Sequence, residues 1–262
     1  MDSQSRATHD PISHIVAQAL ARHFNVPHHT LYQVSTSTAL VEGVYEGAVR
    51  IGTLRRHGDL GLGTFENLDG EMVVVDGHFY QVRSNGSVSE VEDDVLTPFA
   101  TITSFSPDSI VELPQFHTVT DLTANFDRLR ESENIFYALR VDGHFDYVHA
   151  RAVRRTEEGV SLVQATALQP EFEFHNLPGT LVGFWTPEYA RTINVPGYHL
   201  HFLSADHTRG GHILECSGRN CRLQIQQVGN LHVALPETEN FLTADLRRDP
   251  SADLARAEGK KK

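Results

Sequence analysis

Three histidines in the last third of the chain have the spacing of a metal site. His199 and His201 lie two residues apart in an apolar segment, and His212 opens the next apolar segment after a glycine-rich return. Because side chains alternate along a strand, His199 and His201 point to the same face, about 7 Å apart along the chain. An antiparallel return then brings His212 beside one of them. The three imidazoles, here called the histidine triad, can therefore converge on one point.

Three neutral imidazoles on a rigid sheet are a typical ligand set for a transition metal. Catalytic zinc keeps three protein ligands and one open position, which makes Zn²⁺ the leading candidate. Imidazole ligands alone do not distinguish zinc from iron, manganese or cobalt. The competing interpretation is a strand with an exposed polar face, which His199 and His201 taken alone would favour. The third histidine reverses that balance toward a metal site.

Most other histidines have no such arrangement. The chain contains 16 of them, and the majority are scattered among polar neighbours, as is typical of a protein surface. His207 lies inside the glycine-rich return itself, and it is expected to be exposed. The prediction of a metal site is therefore limited to the histidine triad.

The composition describes an acidic globular chain that acts on something small. Its 262 residues correspond to one or two domains, and 40% apolar with 21% charged residues suffices for a buried core. Lysine plus arginine number 22 against 34 acidic residues, so the net charge is 22 − 34 = −12. This balance argues against a nucleic acid or an anionic membrane as partner, because both bind clustered positive charge.

Targeting signals and cysteines point to a cytoplasmic protein. No apolar run approaches the roughly 18 residues that span a membrane. The first apolar stretch is interrupted by Asp10, His14 and Arg22, so it lacks the core of a secretory signal. Cys216 and Cys221 are then expected to be free thiols, and their spacing does not match a zinc finger.

The patterns of apolar residues predict many strands and few helices. Glycine turns at 69–70, 76–77 and 85–86 contain the Asp-Gly or Asn-Gly pairs that favour hairpins. A helix is predicted over 11–24. The predicted strands are 29–35, 64–65, 71–75, 78–83, 87–91, 97–105, 109–113, 135–141, 145–153, 172–175, 179–184, 198–203, 212–216, 222–227 and 231–234, and the further helices are 37–45, 120–130, 237–247 and 252–258.

Two further turns and one helix cap are predicted from local signals. Asp142-Gly143 is expected to form a hairpin turn, and residues 217–220 a loop that lets the two cysteines face each other. Thr120 or Asp121 is expected to cap the helix that follows it, because both side chains can accept a backbone hydrogen bond.

These elements predict a strand-dominated α+β fold with mixed or antiparallel sheets and few helices. Three segments are expected along the chain. They are an N-terminal extension over 1–28, a first sheet domain over 29–156, and a second sheet domain over 157–262 that binds the metal. The boundary is placed where the run Glu157-Glu158-Gly159 interrupts the apolar pattern.

Several blocks of the sequence are similar to one enzyme family. The blocks are 57–65 (HGDLGLGTF), 68–72 (LDGEM), 136–143 (FYALRVDG), 150–153 (ARAV), 186–189 (TPEY), 193–202 (INVPGYHLHF) and 210–212 (GGH). They occur in the family order and cover about 32–245, which is most of the chain. On these blocks the chain resembles the acetolactate decarboxylase family.

The resemblance implies a two-domain α/β enzyme, usually dimeric, in which the histidine triad holds Zn²⁺. It implies that Glu71 and Arg151, both in the first sheet domain, are catalytic residues of the active site. Thr64 and Arg151 are implied as substrate contacts, and Glu258 as a catalytic carboxylate that approaches the zinc from the C-terminal end. The residues before 25 and the lysine tail lie outside the resemblance.

The implied reaction converts (S)-2-acetolactate to (R)-acetoin and CO₂, with stereospecific protonation as its last step. Zinc chelated by the ketone and hydroxyl oxygens acts as a Lewis acid and stabilises the enediolate, so no organic cofactor is needed. Arg151 offers a planar fork for the substrate carboxylate or the developing oxyanion. Glu71 can deliver the proton if burial raises its pKa.

Other interpretations stay open at this point. Arg151 alone would suit a surface ion pair, and Glu71 alone would suit a carboxylate beside a turn. The triad would also suit a zinc hydrolase or lyase that uses a metal-bound hydroxide, or a metal-binding protein without catalysis. The ethyl homologue 2-acetohydroxybutyrate is a further candidate substrate. A homodimer and a place in acetoin and butanediol formation follow from the resemblance as expectations.

Overall fold

The computed structural model describes residues 29–167 and 169–258, which form two large sheets, a small sheet of two strands and several short helices. The predicted helix over 11–24 and the lysine tail lie outside the described residues. The strands are β1 (Thr30–Val34), β2 (Val49–Arg50), β3 (Leu60–Thr64), β4 (Glu71–Val75), β5 (His78–Val82), β6 (Val88–Glu90), β7 (Leu96–Thr97), β8 (Ala100–Thr103), β9 (Ser109–Phe116), β10 (Phe136–Arg151), β11 (Glu171–Thr186), β12 (Gly197–Ser204), β13 (Gly210–Val228) and β14 (Asn230–Ala234). The helices are α1 (Ser37–Val41), α2 (Ile51–Leu54), α3 (Val119–Asp127), α4 (Leu162–Thr166), α5 (Glu239–Thr243) and α6 (Ser251–Ala257).

The first sheet has seven strands in the order β14-β1-β8-β3-β4-β5-β6. Strands β1 and β14 are parallel and the other neighbours are antiparallel, so the sheet is mixed. The predicted turn at Asp76-Gly77 joins β4 and β5, and both residues have positive φ angles of 52° and 78°. These angles are the ones that a two-residue hairpin requires. The prediction of a strand-dominated α+β fold is confirmed.

The second sheet has five strands in the order β10-β11-β12-β13-β9 and is antiparallel throughout. Strand β13 also pairs with β10, so the sheet curls until its first strand meets its fourth. Three of its strands are long, with 16 residues in β10, 16 in β11 and 19 in β13. Long strands with partners on both sides give this sheet a continuous hydrogen-bonded frame.

The predicted hairpin at Asp142-Gly143 is wrong, because β10 runs through both residues. Asp142 accepts hydrogen bonds from Thr180 on β11 at 2.8 Å and from Gln224 on β13 at 2.7 Å, so neighbours on both sides hold it. A Cβ atom at Gly143 would lie 2.5 Å from the Sγ atom of Cys221. The glycine therefore permits a close approach between strands, and a turn is not its role.

The other differences from the predicted elements have similar causes. Residues 217–220 lie inside β13, which passes through both cysteines, and the two strands predicted at 172–175 and 179–184 are one strand, β11. Both cysteines are buried free thiols. The long strand β10 supplies partners along β11 and β13, so pairing continues across segments whose local sequence favours a break.

Helix ends also differ in detail from the predictions. The cap of α3 is Thr118, whose hydroxyl accepts a hydrogen bond from the amide of Asp121 at 3.0 Å, so neither Thr120 nor Asp121 is the cap. Helix α5 is confined to five residues of the segment predicted over 237–247. None of the helices in the described ranges has the length and apolarity that crossing a membrane requires.

The two sheets do not divide the chain at residue 156. Strands β10 and β11 lie on either side of that position in the sequence, and they pair along their whole length in one sheet. Strand β14 returns from the C-terminal part of the chain to the edge of the seven-stranded sheet. The segment 29–156 thus supplies strands to both sheets, and Arg151 lies in the same sheet as the histidine triad.

An apolar layer and a group of short helices surround the place where the sheets meet. Side chains of both sheets, among them Leu62, Val73, Phe184 and Leu203, form one buried cluster between them. At one end of this layer, helices α1, α4 and α6 pack together through a second cluster. Its buried members are Val41, Tyr45, Leu68, Val153, Leu162, Val195, Leu254 and Ala257. The helices close this end over the facing sheets.

Candidate active site

Polar side chains of β10, β12 and β13 form one row where the two large sheets meet. His201 on β12 is directly opposite His212 on β13, and His212 is directly opposite Arg151 on β10. Residues opposite each other in paired strands share a face, and His199 shares it because it lies two residues from His201. The structure therefore brings the histidine triad and Arg151 together.

The apolar side of β12 holds this row in register. Leu200 and Phe202 alternate with the histidines and are buried in the core of the five-stranded sheet. Burial of a Leu or Phe side chain contributes about 1.5–3 kcal/mol. A slip by one residue would turn both side chains into the polar site and place the imidazoles in the apolar core, so the face presented by the histidines is strongly specified.

The geometry of the histidine triad fits one metal ion. One nitrogen from each imidazole lies within 4.8 Å of the other two, and the Nε2 atoms of His199 and His201 are 3.2 Å apart. Two nitrogens bound to one tetrahedral zinc ion at about 2.0–2.1 Å would lie about 3.3 Å apart. The side chains present therefore match the ligand number and spacing of a three-histidine site.

His201 is held in the form that binds a metal. Its Nδ1 atom lies 2.7 Å from the carbonyl oxygen of Met72 on β4, and a carbonyl can only accept, so Nδ1 carries the proton and Nε2 carries the lone pair. The side chain is fully buried, and this burial, reinforced by neighbouring His199, lowers the pKa of His201 to about 3. A neutral imidazole is the ligand form.

Glu258 reaches the triad from the end of α6. Its Oε2 atom is 3.3 Å from Nε2 of His212 and 3.9 Å from Nε2 of His199. The helix is fixed by Leu254 and Ala257, which are buried in the cluster of short helices. The structure therefore places a carboxylate beside the triad, and its oxygen is a fourth potential donor atom at the site.

Glu71 and Thr64 face the triad from the seven-stranded sheet. They are directly opposite each other on β4 and β3. Glu71 accepts a hydrogen bond at Oε1 from the amide of Val153 at 3.1 Å, and its Oε2 lies 3.5 Å from Nε2 of His201. The hydroxyl of Thr64 donates to the carbonyl of Gly70 at 2.8 Å. Thr64 also lines the pocket beside the triad.

The surroundings of Glu71 favour a protonated carboxyl group. Burial is the main cause and raises the pKa of Glu71 to about 7, with a further increase from the charge of Glu258. The positive charge of Arg151 and the hydrogen bond from Val153 act in the opposite direction. A carboxyl group with this pKa exchanges a proton readily near neutral pH, as a general acid must.

These groups surround a small pocket at the closed end of the sheets. Its polar side is formed by His199 and His212 of the triad, the two carboxylates, Thr64 and the buried guanidinium of Arg151. Its remaining walls are largely apolar, and the lining residues are Leu40, Gly63, Thr64, Leu68, Glu71, Phe99, Arg151, Val153, Leu162, Thr166, Gln169, Val195, His199, His212, Ala257 and Glu258. A small anionic molecule with one apolar side suits this lining.

Gln169 is a polar member of the pocket that the sequence did not predict. Matching of donors to acceptors assigns the amide oxygen of Gln169 to the side facing Arg151, where it accepts hydrogen bonds from Nη1 at 2.7 Å and Nε at 3.1 Å. No motif marks Gln169, because its position follows from the pairing of β10 with β11.

His207 is exposed, as the sequence predicts. It lies in the return between β12 and β13, and its Nδ1 atom lies 3.1 Å from the hydroxyl of Tyr80.

One small pocket is surrounded by three buried histidines, two carboxylates and a guanidinium. This arrangement is typical of an enzyme that acts on a small molecule and has a candidate metal centre. The sequence pattern of the alpha-acetolactate decarboxylase family matches residues 31–248. With that match over most of its length, the chain belongs to this family, and it is a carboxy-lyase.

Named relatives and solved structures agree with this assignment. The chain is 43% identical over 231 residues to the alpha-acetolactate decarboxylase of Methylococcus capsulatus, covering 88% of this chain and 89% of that protein. It is 41% identical over 231 residues to that of Bacillus licheniformis, covering 87% and 91%. The crystal structure of alpha-acetolactate decarboxylase from Bacillus subtilis strain 168 matches with a TM-score of 0.85 at 39% identity, covering 88% of this chain and 100% of that chain.

Proposed function

We propose that this protein decarboxylates (S)-2-acetolactate to (R)-acetoin and CO₂ with Zn²⁺ at the histidine triad. The observation that carries the proposal is the convergence of three buried imidazoles, Glu71 and Arg151 on one pocket in a member of this family. The relatives named alpha-acetolactate decarboxylase support the choice of substrate. An acidic chain with one buried guanidinium in its pocket can still select a carboxylate, because the local charge decides recognition.

The triad would hold the metal through its three imidazoles, with Glu258 beside them. A bound Zn²⁺ supplies Lewis acidity toward the adjacent hydroxyl and ketone oxygens of the substrate. His201 keeps its proton on Nδ1 through Met72, so its Nε2 atom stays aimed at the centre. The carbonyl of Met72 thus acts as a fixed support for one ligand.

Arg151 recognises the anionic end of the substrate. Its guanidinium is buried beside His212, so a carboxylate that pairs with it stays close to the metal centre. A planar fork can pair with a carboxylate through two hydrogen bonds at once, which fixes orientation as well as position. Pairing at this position fixes the orientation of the carbon–carbon bond that breaks when CO₂ is lost. After CO₂ has left, the positive charge of Arg151 is near the developing oxyanion.

Glu71 delivers the proton that completes acetoin. Its Oε1 atom is held by the amide of Val153, which leaves Oε2 directed at the centre. The carbon that has lost CO₂ needs one proton, and a protonated carboxyl group in this position supplies it. Because Glu71 comes from the seven-stranded sheet alone, the proton arrives at one side of that carbon, which accounts for a single enantiomer. Thr64, opposite Glu71, orients the substrate through its oxygen.

The apolar walls leave room for variation in the alkyl group of the substrate. We include the ethyl homologue 2-acetohydroxybutyrate in the proposal, because Leu40, Leu162 and Val195 can contact an added methylene. One methylene in an apolar pocket changes binding by about 1–3 kcal/mol, so both substrates can turn over. The homodimer and the cytoplasmic location expected from the sequence remain predictions.

The test is the conversion of racemic acetolactate by the purified protein, with CO₂ and acetoin quantified and the acetoin resolved by chiral chromatography. We expect both products above the rate without protein, one enantiomer of acetoin, loss of activity on chelation and recovery with Zn²⁺. Zinc binding without CO₂ release would instead indicate a metal-binding protein. Hydrolysis of a test ester without action on acetolactate would indicate a zinc hydrolase.

A further inference from the structure

Arg151 is held by a neutral side chain. The Gln169 amide lies against its guanidinium, and the amide orientation that pairs donors with acceptors has the oxygen accepting from Nη1 at 2.7 Å and from Nε at 3.1 Å. A guanidinium has five N–H donors, so Gln169 engages two of them. The other three are available to a ligand in the pocket, which both side chains line.

The backbone places Gln169 at this position. Arg151 is directly opposite Glu171 on β11, and the pairing extends by one bond from the amide of Ala152 to the carbonyl of Pro170 at 3.3 Å. Gln169 therefore stands where the chain turns from the end of the sheet toward α4. Its side chain returns across the strand end to the guanidinium, so its reach is set by the frame of the sheet.

Gln169 is uncharged, and for this reason it leaves the positive charge of Arg151 in place. A glutamate there would also bind the guanidinium, but it would cancel the positive charge that attracts an anion. An amide oxygen fixes the orientation and leaves the full charge of Arg151 available. Glu71 lines the same pocket and interacts electrostatically with Arg151, so a guanidinium released from Gln169 has a competing acidic partner.

We infer that Gln169 is the positioning residue for Arg151, and that it keeps the guanidinium apart from Glu71 and directed at the carboxylate of a small 2-hydroxy acid. The inference rests on the proposed function for the identity of the substrate. It assigns Gln169 no contact with the reacting atoms. Its effect must therefore pass through Arg151, and it must vanish when the planar fork of Arg151 is removed.

The experiment is a double-mutant cycle that combines Gln169→Met with Arg151→Lys in the zinc-loaded protein. Methionine keeps the length of the side chain without its acceptor. The first readout is the KM and kcat for acetolactate. The second is the Kd of 2-hydroxyisobutyrate, measured by calorimetry. This ligand is a small 2-hydroxy carboxylate that lacks the ketone needed for the reaction. Zinc content and Tm are measured for every variant. Gln115→Leu, at an exposed position on β9, is the control.

For Gln169→Met alone, we expect KM and Kd to rise about tenfold, because the guanidinium loses the hydrogen bonds that orient it. The kcat should change less, and zinc content and Tm should stay at their wild-type values. In the Arg151→Lys background, Gln169→Met should change neither constant by more than about twofold, since the planar fork that Gln169 orients is absent. Gln169→Glu should also raise Kd, because it cancels the charge.

Two results would overturn the inference. Equal fold-changes from Gln169→Met in both backgrounds would mean that Gln169 acts without Arg151. An unchanged Kd for 2-hydroxyisobutyrate in Gln169→Met would mean that the hydrogen bonds do not orient the guanidinium for a carboxylate. If the wild-type protein bound this ligand but did not turn over acetolactate, the proposed function would fail while the cycle on Kd still decided the role of Gln169.

Discussion

Two groups of side chains on the five-stranded sheet have similar local geometry and different surroundings. On β12 and β13, His199 and His201 lie two residues apart, with His212 on the neighbouring strand. On β10 and β11, Tyr147 and His149 lie two residues apart, with His175 directly opposite Tyr147. The second group, here called the outer group, has ring centroids 5.3 and 6.4 Å apart, against 4.9–5.4 Å in the triad.

The difference lies in what covers each group. His201 is fully buried and contacts the carbonyl of Met72 and the carboxylate of Glu71, while α6 adds Glu258. In the outer group, His149 pairs with Glu171, whose side chain is 55% exposed. The spacing of side chains along and between strands is therefore enough to bring rings together, as it does in both groups. The contact between the sheets and the C-terminal helix turns one of them into a candidate catalytic centre.

The largest expected effect separates the two groups directly. His199→Ala, His201→Ala and His212→Ala should each reduce bound zinc and lower kcat/KM for acetolactate by about a thousandfold or more, because each removes one of three ligands. The same substitution at His149, His175 and the exposed His207 should leave both quantities within about twofold. Zinc is measured per chain by mass spectrometry beside the kinetics. Any triad variant with full zinc and full turnover would remove that histidine from the site.

The next effect tests the buried carboxylate that faces the triad, in contrast to the exposed Glu171 of the outer group. Glu71→Gln keeps the shape and hydrogen bonding of the side chain but cannot donate the proton. We expect kcat to fall by about 10²–10⁴, the usual contribution of general acid catalysis, with zinc content unchanged. The measurement is turnover beside chiral analysis of the residual acetoin. Turnover at the parent rate with acetoin of unchanged handedness would leave Glu71 as a structural residue.

Arg151→Lys should have a smaller effect. It keeps the positive charge and loses the planar fork, so KM should rise and kcat should fall, each by about tenfold. Zinc content should not change, because Arg151 is beside the triad and outside the proposed ligand set. Steady-state kinetics with metal analysis decide the outcome. A variant that lost zinc would place Arg151 in the support of the metal, and the division of roles would need revision.

Glu258→Gln tests the contribution of the C-terminal helix. We expect zinc affinity to fall by about 10–100-fold, the range found for groups that support a metal from outside the main ligand set. The activity at saturating zinc should fall less than in the triad variants. Competition for zinc with a chromophoric chelator gives the affinity, and Glu239→Gln, on the exposed part of α5, is the control. Equal affinities in the two variants would exclude Glu258 from the metal environment.

The histidine triad could be predicted because its signal is local. A period of two along one strand and a short glycine-rich return determine which faces meet, and both can be taken from a few consecutive residues. The turn at Asp76-Gly77 was predicted correctly for the same reason, since its two residues define the hairpin by themselves. Family resemblance supplied Glu71, Arg151 and Glu258, whose contacts cross large distances in the sequence.

The remaining features depend on partners that are distant in the sequence. Asp142-Gly143 has the local pattern of a turn, but β11 and β13 pair with it from both sides and keep it extended. Gln169 has no pattern at all, since only the pairing of Arg151 with Glu171 puts it beside the guanidinium. The order of the strands in the two sheets is likewise a property of long-range pairing, which local propensity does not specify.

Stoichiometric titration of zinc into chelator-treated protein, with (R)-acetoin formation as the readout, tests the central claim most directly. The account predicts no activity at zero zinc, a linear increase with added zinc, and an end point at one zinc ion per chain. The His201→Ala protein should show no such end point. Full activity in the metal-free protein, or one tightly bound zinc per chain without any (R)-acetoin, would contradict the account.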